Sequence, residues 1–190
     1  DYYASRGLGD VYKRQMYDRA LQLNTKAQHY SLLKDSFGLG DLYRYRAVIF
    51  GQTGIKDSIF YYLNQAEKIS ALQGSFKGVF VNKVTTVEAY LDYTDSVQKA
   101  LTLALSICPD SSRMPQWAKY ELELHLGRAL LQTGKATQGI PLIEKAAQGF
   151  ISMDMRSGEQ KANNILMDYY LSMNMNDACL LYTSPSPRDA

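Results

Sequence analysis

Hydrophobic and small side chains recur along most of the chain at the three- and four-residue spacing that places them on one face of an α-helix. The clearest example is the stretch 126–146, which reads as two short amphipathic helices joined by a turn at Gly134. Its apolar and small positions are Leu126, Gly127, Leu130, Leu131, Gly139, Ile143 and Ala146. The small Gly127 would let a neighbouring helix approach closely. Such a hairpin buries its apolar faces only against neighbours, which predicts further copies of it.

The same pattern recurs in other parts of the chain. The predicted helices are 16–33, 41–52, 56–72, 79–93 and 95–108, then the hairpin from 116 to about 152 and a last helix from about 157 to near 174. The turns within successive hairpins are anchored at Gln15, Gly54, Asp95, Gly134 and Asn174. The intervals between these anchors are 39, 41, 39 and 40 residues. A period near 40 residues predicts an all-α helical solenoid.

One segment has a competing interpretation. Six β-branched residues lie between positions 79 and 87, and their intrinsic propensity would suit a strand. The helical periodicity and the place of the segment in the repeat favour a helix instead. We therefore predict a helix over 79–93.

Local signals define several turns and helix ends. The FGLG sequence at Phe37–Gly40 predicts a turn and lacks the further residues of a phosphate-binding loop. Asp41 is a candidate N-cap, and Ser157 could cap the last helix. Gly74 and Gly78 are expected to bracket another break between helices.

The two ends of the chain have a different origin in our interpretation. The peptide Ser5–Gln15 can be encoded by a DNA segment whose reverse complement, read one base in, encodes Cys179–Arg188 and the start of an Asp codon. This inverted repeat resembles a transposon-derived sequencing adapter. We therefore expect 1–15 and 179–190 to be non-native extensions of a partial array that spans 16–178.

Composition narrows the range of functions. Without the two extensions, 17 basic and 16 acidic side chains remain, a net charge of +1. This balance gives no electrostatic reason to expect nucleic acid or an anionic membrane surface. No apolar run approaches the roughly 20 residues of a membrane span. Cys108 is then the one remaining cysteine, so the compartment, cytoplasmic or periplasmic, stays open.

The positions Leu126, Gly127, Leu130, Gly134, Gly139, Ile143 and Ala146 resemble the tetratricopeptide repeat. This resemblance covers nearly all of 16–178 and implies a right-handed superhelical stack of antiparallel helix pairs. Two side chains depart from the family pattern: Glu123 stands where Trp is frequent, and Arg46 occupies a usually apolar site. The period is also several residues longer than the commonest one. Long-period arrays of this kind are typical of sensory or regulatory regions in bacterial signalling proteins.

In that family the first helix of each pair lines a concave groove that binds a protein or peptide. Transferred by register, the groove residues would be Arg44, Val48 and Gln52, then Asn82, Thr85 and Tyr93, then Glu121, Leu124, Arg128 and Gln132, then Lys161, Asn164 and Asp168. Arg128 and Lys161 could bind a peptide carboxylate or backbone through charge-assisted hydrogen bonds. The alternative is that these residues form a solvated face without a ligand.

Catalytic, metal and cofactor sites are not predicted. His29 and His125 lie in different repeats with no further ligand at metal-binding spacing. Cys108, beside Pro109 at a helix end, is interpreted as a small apolar filler, and the tyrosines as packing between helices. Two hypotheses remain: a non-catalytic binding scaffold that forms the sensing or docking region of a larger bacterial regulator, or a free-standing adaptor with no output domain. The oligomeric state is left open.

Overall fold

The computed structural model describes residues 2–33 and 38–173, and within these ranges the chain is helical. The helices are α1 Tyr2–Leu33, α2 Leu39–Thr53, α3 Lys56–Leu72, α4 Phe76–Tyr93, α5 Val97–Ile107, α6 Gln116–Gln132, α7 Ala136–Ser152 and α8 Arg156–Ser172, with a short 3-10 helix at Cys108–Arg113. The predicted all-α helical repeat is therefore confirmed. The strand interpretation of 79–87 is wrong, because α4 covers that whole segment.

The turns inside two helix pairs lie where the pattern predicted them. Gly54 and Gly134 follow α2 and α6 with φ angles of 78° and 76°. This left-handed conformation costs glycine little because it has no Cβ. The amide of Lys135 then donates to the carbonyl of Leu130 at 2.9 Å, which satisfies one of the free carbonyls at the end of α6. The chain thus reverses within a few residues, and α6 and α7 pack against each other.

Several predicted helix ends are wrong in detail. Asp41 is not an N-cap: α2 begins at Leu39 after Gly38, and Asp41 lies in the first turn. Gly78 lies inside α4, which is capped instead by Ser75, whose hydroxyl accepts from the amide of Gly78 at 3.1 Å. Ser157 lies inside the first turn of α8. Each of these residues lies two or three positions after the true N-cap, within the first turn of its helix.

Some predictions concern residues whose structure is not described. The turn residue Phe37, the helix end near Asn174 and the tail 179–190 lie outside the described ranges. Residues 5–15 fall within α1. The non-native origin of the two ends stays a prediction.

The chain divides into two compact units, Asp1–Thr94 and Asp95–Ala190. In the first unit α1 packs on α2, α2 on α3 and α3 on α4. Part of its core is formed by Ala47, Ile59, Leu63 and Ala89. The boundary falls between α4 and α5, which the repeat pattern treats as one helix pair.

In the second unit α5 packs on α6, α6 on α7 and α7 on α8. Its core contains a large apolar cluster of buried side chains contributed by α6, α7 and α8. The buried members are Leu124, Leu131, Ile143, Ala146, Ala147, Phe150, Ala162 and Leu166. Dense packing of this kind is the principal source of stability for helices of this length.

The close approach of α6 and α7 confirms the role predicted for Gly127. A Cβ atom on Gly127 would lie 2.8 Å from the carbonyl oxygen of Gly139, and one on Gly139 would lie 2.7 Å from the carbonyl oxygen of Gly127. The two backbones therefore touch where both side chains are absent. This contact fixes the spacing of the helix pair that carries Arg128 and Gln132.

None of the helices in the described ranges is both long and apolar enough to cross a lipid bilayer.

Candidate functional site

The residues predicted to line a groove are distributed over both units. We call the exposed side of α2, with the adjoining end of α4, the first face; it includes Arg44, Tyr45, Val48, Gln52 and Tyr93. We call the exposed residues of α6 and α8 the second face; it includes Glu121, Arg128, Gln132, Lys161, Asn164 and Asp168. α2 contacts α4 within the first unit, and α6 contacts α8 within the second. Each face therefore spans two neighbouring helices.

The middle of the first face combines a charged group with apolar surface. The guanidinium of Arg44 is 3.1 Å from an Asp41 carboxylate oxygen and lies 4.5 Å from the centre of the Tyr45 ring. Tyr45 is 52% exposed and Val48 is 38% exposed, so both present apolar surface to solvent. A guanidinium held over an aromatic ring is pre-oriented with little remaining freedom. This part of α2 can contact both apolar and anionic groups of a partner.

Gln52 connects three helices at one end of the first face. The hydroxyl of Tyr17 on α1 donates to Gln52 Oε1 at 3.5 Å, and Gln52 Nε2 donates to the hydroxyl of Tyr93 on α4 at 3.4 Å. The Tyr93 ring occupies the space beside Gly51, where a Cβ would be 2.5 Å from the ring. The structure thus brings together two predicted site residues, Gln52 and Tyr93.

The pKa of Tyr93 is raised above its ordinary value, first by burial and then by the nearby carboxylates of Asp92 and Glu88. Both causes disfavour the phenolate, because it would be poorly solvated and close to negative charge. The hydroxyl therefore stays protonated at neutral pH. It can accept from Gln52 and still donate its own proton to a ligand.

Asn82 is not a groove residue, and the sequence-based prediction was wrong here. Only 1% of Asn82 is exposed, and its Nδ2 donates to the hydroxyl of Ser70 on α3 at 3.0 Å. The repeat positions assigned to α4 were wrong by one residue. Val87 lies 40 residues before Gly127 and is fully buried, so it occupies the inward position that Gly127 has on α6. Anchoring the third turn at Asp95 set the register one residue too late.

The corrected register changes the contribution of α4 to the first face. Thr85 is half-buried, and its hydroxyl donates to the carbonyl of Val81 within the same helix at 3.0 Å. The positions 40 residues before Arg128 and Gln132 are Glu88, half-buried, and Asp92, exposed. α4 therefore presents carboxylates where α6 presents a guanidinium and an amide.

The second face carries most of the predicted residues in exposed positions. Gln132, Lys161, Asn164 and Asp168 are exposed. Arg128 and Glu121 are half-buried. Leu124, the apolar residue predicted between them, is fully buried in the core cluster, so its assignment to the groove was wrong. What remains is a polar face that contains two cations, Arg128 and Lys161, two carboxylates, Glu121 and Asp168, and two amides.

At the beginning of α6, Glu121 contacts a buried imidazole. The Nε2 atom of His125 is 3.5 Å from a carboxylate oxygen of Glu121, and His125 is 2% exposed. The two residues are one helical turn apart, so their side chains meet on the same side of α6. Glu121 is thus held by its own helix, which reduces its freedom to contact a partner.

Tyr45 and Tyr17 were not predicted from the sequence as site residues. Tyr45 lies one residue after Arg44 and three before Val48, and an exposed aromatic residue beside a predicted groove cation was a usable signal. Tyr17 carried no such signal, because its contact with Gln52 joins residues 35 positions apart.

The structure gives little support for a nucleophilic cysteine or for a metal site among the described residues. Burial, followed by the charge of Glu123, raises the pKa of the Cys108 thiol, which disfavours the nucleophilic thiolate. Among the described residues, no three His, Cys, Asp or Glu side chains cluster closely enough to hold a metal ion.

Comparison with known proteins supports the fold. One solved structure with a similar backbone is a signal transduction ATPase with numerous domains (STAND) protein with a tetratricopeptide repeat sensor, from Pyrococcus horikoshii. It aligns with a TM-score of 0.64 and 17% sequence identity over 90% of this chain, which spans 26% of that protein's length. A scan of protein families and a search of curated proteins found no match. The shared feature is the tetratricopeptide-like helical repeat.

Proposed function

We propose that this chain is a non-catalytic scaffold that binds a protein or peptide and forms the sensing or docking region of a larger regulator. The observation that carries the proposal is the second face, where exposed Gln132, Lys161 and Asn164 and half-buried Arg128 lie on two neighbouring helices of the repeat. The similar solved structure supports it, since its repeat is described as a sensor. A bacterial origin fits the long period of the repeat.

The second face has the donors that a peptide backbone or carboxylate needs. Arg128 offers a planar guanidinium with several N–H donors, and Lys161 offers a compact ammonium. Gln132 and Asn164 each provide a donor and an acceptor that match a peptide bond. Because α6 is anchored by buried side chains on its opposite side, the backbone that carries Arg128 and Gln132 is held in place before a ligand arrives. Pre-organisation of this kind reduces the entropy lost on binding.

The first face would add a different contact. Tyr45 and Val48 expose apolar surface, and aromatic side chains are frequent anchors in protein interfaces. Glu88 and Asp92 place carboxylates at the positions that correspond to Arg128 and Gln132 of the second face. A partner of the first face would therefore be mainly apolar, with an anionic group near Arg44 and a basic group near Glu88 and Asp92.

Charge reversal on the second face tests the binding proposal. The probe is an array of short synthetic peptides with free carboxyl termini, and the variants are Arg128→Glu and Lys161→Glu. Each should weaken acidic peptides by about tenfold or more, since a charged hydrogen bond contributes roughly 1.5–3 kcal/mol. The matched control is Lys68→Glu, an exposed residue of α3. Equal binding by all four proteins would contradict the proposal.

The sequence of the intact gene would distinguish the alternative function, a free-standing adaptor, from a regulator. A kinase or helix-turn-helix domain encoded beyond Ala178 would support the regulator. A stop codon directly after the repeat would favour the adaptor. The same sequence would test whether 1–15 and 179–190 are adapter-derived.

A further inference from the structure

One end of the contact between α3 and α4 is built from polar side chains. Asn82 of α4 and Ser70 of α3 are 1% and 4% exposed, and Asn82 Nδ2 donates to the Ser70 hydroxyl at 3.0 Å. Gly78 of α4 lies directly on Ser70, since a Cβ at Gly78 would be 2.8 Å from Ser70 Oγ. The ammonium of Lys83 is 3.8 Å from a carboxylate oxygen of Glu67. We call these five residues the polar end of the contact.

The polar end holds the two helices together weakly. Asn82 Oδ1 is buried, and among the residues that the structure describes it has no hydrogen-bond partner. Water solvates this oxygen when the contact opens, so its burial favours the open state. The ion pair of Lys83 and Glu67 compensates little, because the two side chains are 33% and 40% exposed.

The other end of the same contact is apolar and aromatic. The rings of Phe60 on α3 and Tyr90 on α4 have centres 4.8 Å apart. Ala89 of α4 is buried in one cluster with Ile59 and Leu63 of α3. Buried apolar area and aromatic pairing both stabilise a helix contact. The end of α4 is therefore held more firmly than its beginning.

At the corresponding positions, the contact between α7 and α8 is apolar. The residues 80 positions after Ser70 and Asn82 are Phe150 and Ala162, and both are fully buried. The Phe150 ring fills the place beside Gly158, where a Cβ would be 2.6 Å from the ring. Opening this contact would expose an aromatic ring to water, which is unfavourable.

The first face extends across the α3–α4 contact, because it combines residues of α2 and α4. At its firmly held end, Gln52 Nε2 donates to the Tyr93 hydroxyl at 3.4 Å. Tyr45 lies seven residues before Gln52, two helical turns away. The α4 residue that corresponds to Tyr45 is Thr85, which is three residues after Asn82. The Tyr45 end of the first face therefore adjoins the weakly held part of α4.

We propose that the beginning of α4 separates from α3 in the folded chain, with the Phe60–Tyr90 contact as the pivot, and that this opening widens the first face at Tyr45. The Gln52–Tyr93 end keeps its width. The second face keeps its width throughout, because the contact between α7 and α8 is apolar. The role of the opening in recognition rests on the function proposed above: a ligand with a bulky side chain near Tyr45 would bind the open state and shift the population toward it.

Amide hydrogen exchange of the full chain without ligand tests the opening. Mass spectrometry follows two segments that correspond in the repeat, 76–84 at the beginning of α4 and 156–164 at the beginning of α8. A helical turn without tertiary packing is only marginally stable, so its amides exchange. After correction for intrinsic rates, 76–84 should exchange about tenfold or more faster than 156–164, since the unpaired buried amide lowers the cost of opening. Equal rates in the two segments would overturn the proposal.

An apolar replacement of the polar end should reduce the difference. The variant Ser70→Ala/Asn82→Leu removes both polar groups, and leucine is the residue at the corresponding positions Leu42 and Leu122. Exchange of 76–84 should slow by about tenfold, while exchange of 156–164 stays the same. The matched control is Asn64→Leu, at an exposed position of α3. If the double variant, folded by circular dichroism, exchanged as fast as the unaltered chain, the polar end would not be the cause of the opening.

The role in recognition is tested separately with the array of synthetic peptides. Peptides whose binding is lost in an Arg44→Ala chain report on the first face. These should bind the Ser70→Ala/Asn82→Leu chain about two- to fivefold more weakly, because the open state is then less populated. Peptides that depend on Arg128 should bind both chains equally. Unchanged or tighter binding of the Arg44-dependent peptides would contradict this role. If no peptide depended on Arg44, binding by the first face would be contradicted, whereas the opening measured without ligand would stand.

Discussion

The helices α2–α4 and α6–α8 have corresponding positions 80 residues apart, yet their cores are built from different side chains. In the first group, Ser70 of α3 lies close to two glycines, Gly40 on α2 and Gly78 on α4. In the second group Phe150 corresponds to Ser70, Tyr120 to Gly40 and Gly158 to Gly78. There, Gly158 leaves space for the Phe150 ring, which also meets Tyr120 edge-on at 6.0 Å. One site is thus packed by small residues and the other by large aromatic rings.

A second site shows the opposite distribution of volume. Ala47 and Ile59, both buried, occupy the contact between α2 and α3. The corresponding pair between α6 and α7 is Gly127 and Gly139, whose backbones touch. The helical framework is therefore the same in both groups, but the large side chains lie in different layers of the core. Cores tolerate such exchanges when a large residue faces a small one.

The two groups also differ in the polarity of the core. Asn82 and Ser70 form a buried hydrogen bond in the first group, where the second group has Ala162 and Phe150. Within the described part of the chain, Asn82 Oδ1 is buried and has no hydrogen-bond partner. Burial of an unpaired amide oxygen is unfavourable. We therefore expect the aromatic layer to contribute more to stability than its polar counterpart.

The largest effect should come from the aromatic layer. Phe150→Ala removes a ring that is fully buried and should lower the free energy of unfolding by about 3–5 kcal/mol. The measurement is urea denaturation followed by circular dichroism. Leu171→Ala, at a half-exposed position of α8, serves as the control and should change little. A loss below about 1 kcal/mol for Phe150→Ala would contradict the importance assigned to this layer.

The glycine contact should give the next largest effect. Gly127→Ala places a Cβ 2.6 Å from Ile143 Cγ1 and 2.8 Å from the Gly139 carbonyl, so α6 and α7 must separate. We expect a net loss of about 1–3 kcal/mol despite alanine's better helix propensity. The same denaturation measurement applies, with Gln148→Ala, an exposed change on α7, as the control. Stabilisation by Gly127→Ala would show that the backbones do not touch as described.

The polar pair can be tested by a double-mutant cycle. Ser70→Ala leaves the buried Asn82 amide without its acceptor and should cost about 1–3 kcal/mol. Adding Asn82→Ala, the residue type found at the corresponding Ala162, removes the stranded amide and should restore part of that loss. Thermal and urea unfolding of the two single variants and the double variant measure the coupling. Strictly additive losses would show that the hydrogen bond does not couple the two positions.

The smallest effect concerns an ion pair that occurs in one group and not in the other. Lys145 on α7 pairs with Glu123 on α6, whereas the residues 80 positions earlier are Gln65 and Tyr43. The Lys145 side chain is 62% exposed, so Lys145→Ala should cost about 0.2–1 kcal/mol and less at high salt. Lys135→Ala, at an exposed turn position, is the control. A loss independent of salt would point to packing of the alkyl chain instead.

The sequence predicted helix bounds best where the same local pattern recurs along the chain. Helix α3 was predicted as 56–72 and is Lys56–Leu72. The site was predicted less well, because groove residues depend on rotation of each helix about its axis. An error of one residue rotates a helical position by about 100°, which is why Asn82 was placed in solvent and lies in the core. On α8, the predicted residues Lys161, Asn164 and Asp168 are all exposed.

The departures from the repeat pattern illustrate the same limit. Arg46 stands at a usually apolar position, and nothing local explains it. In the folded chain its guanidinium lies 5.5 Å from the centre of the Tyr62 ring and donates to the hydroxyl of Thr25 on α1. The guanidinium is thus contacted by an aromatic face and a hydroxyl that come from two other helices.

The sequence by itself determined the helices, their period and the turns at Gly54 and Gly134, because these depend on apolar spacing and on glycines within one or two turns of chain. It also determined that Gly127 lies at a close helix contact. Only the tertiary structure decided which side of α4 faces its neighbours, which polar groups pair in the core and how the chain divides after Thr94. Those outcomes depend on contacts between residues far apart in sequence. Whether a small residue is needed on one helix depends on the large or polar group that packs against it from another helix.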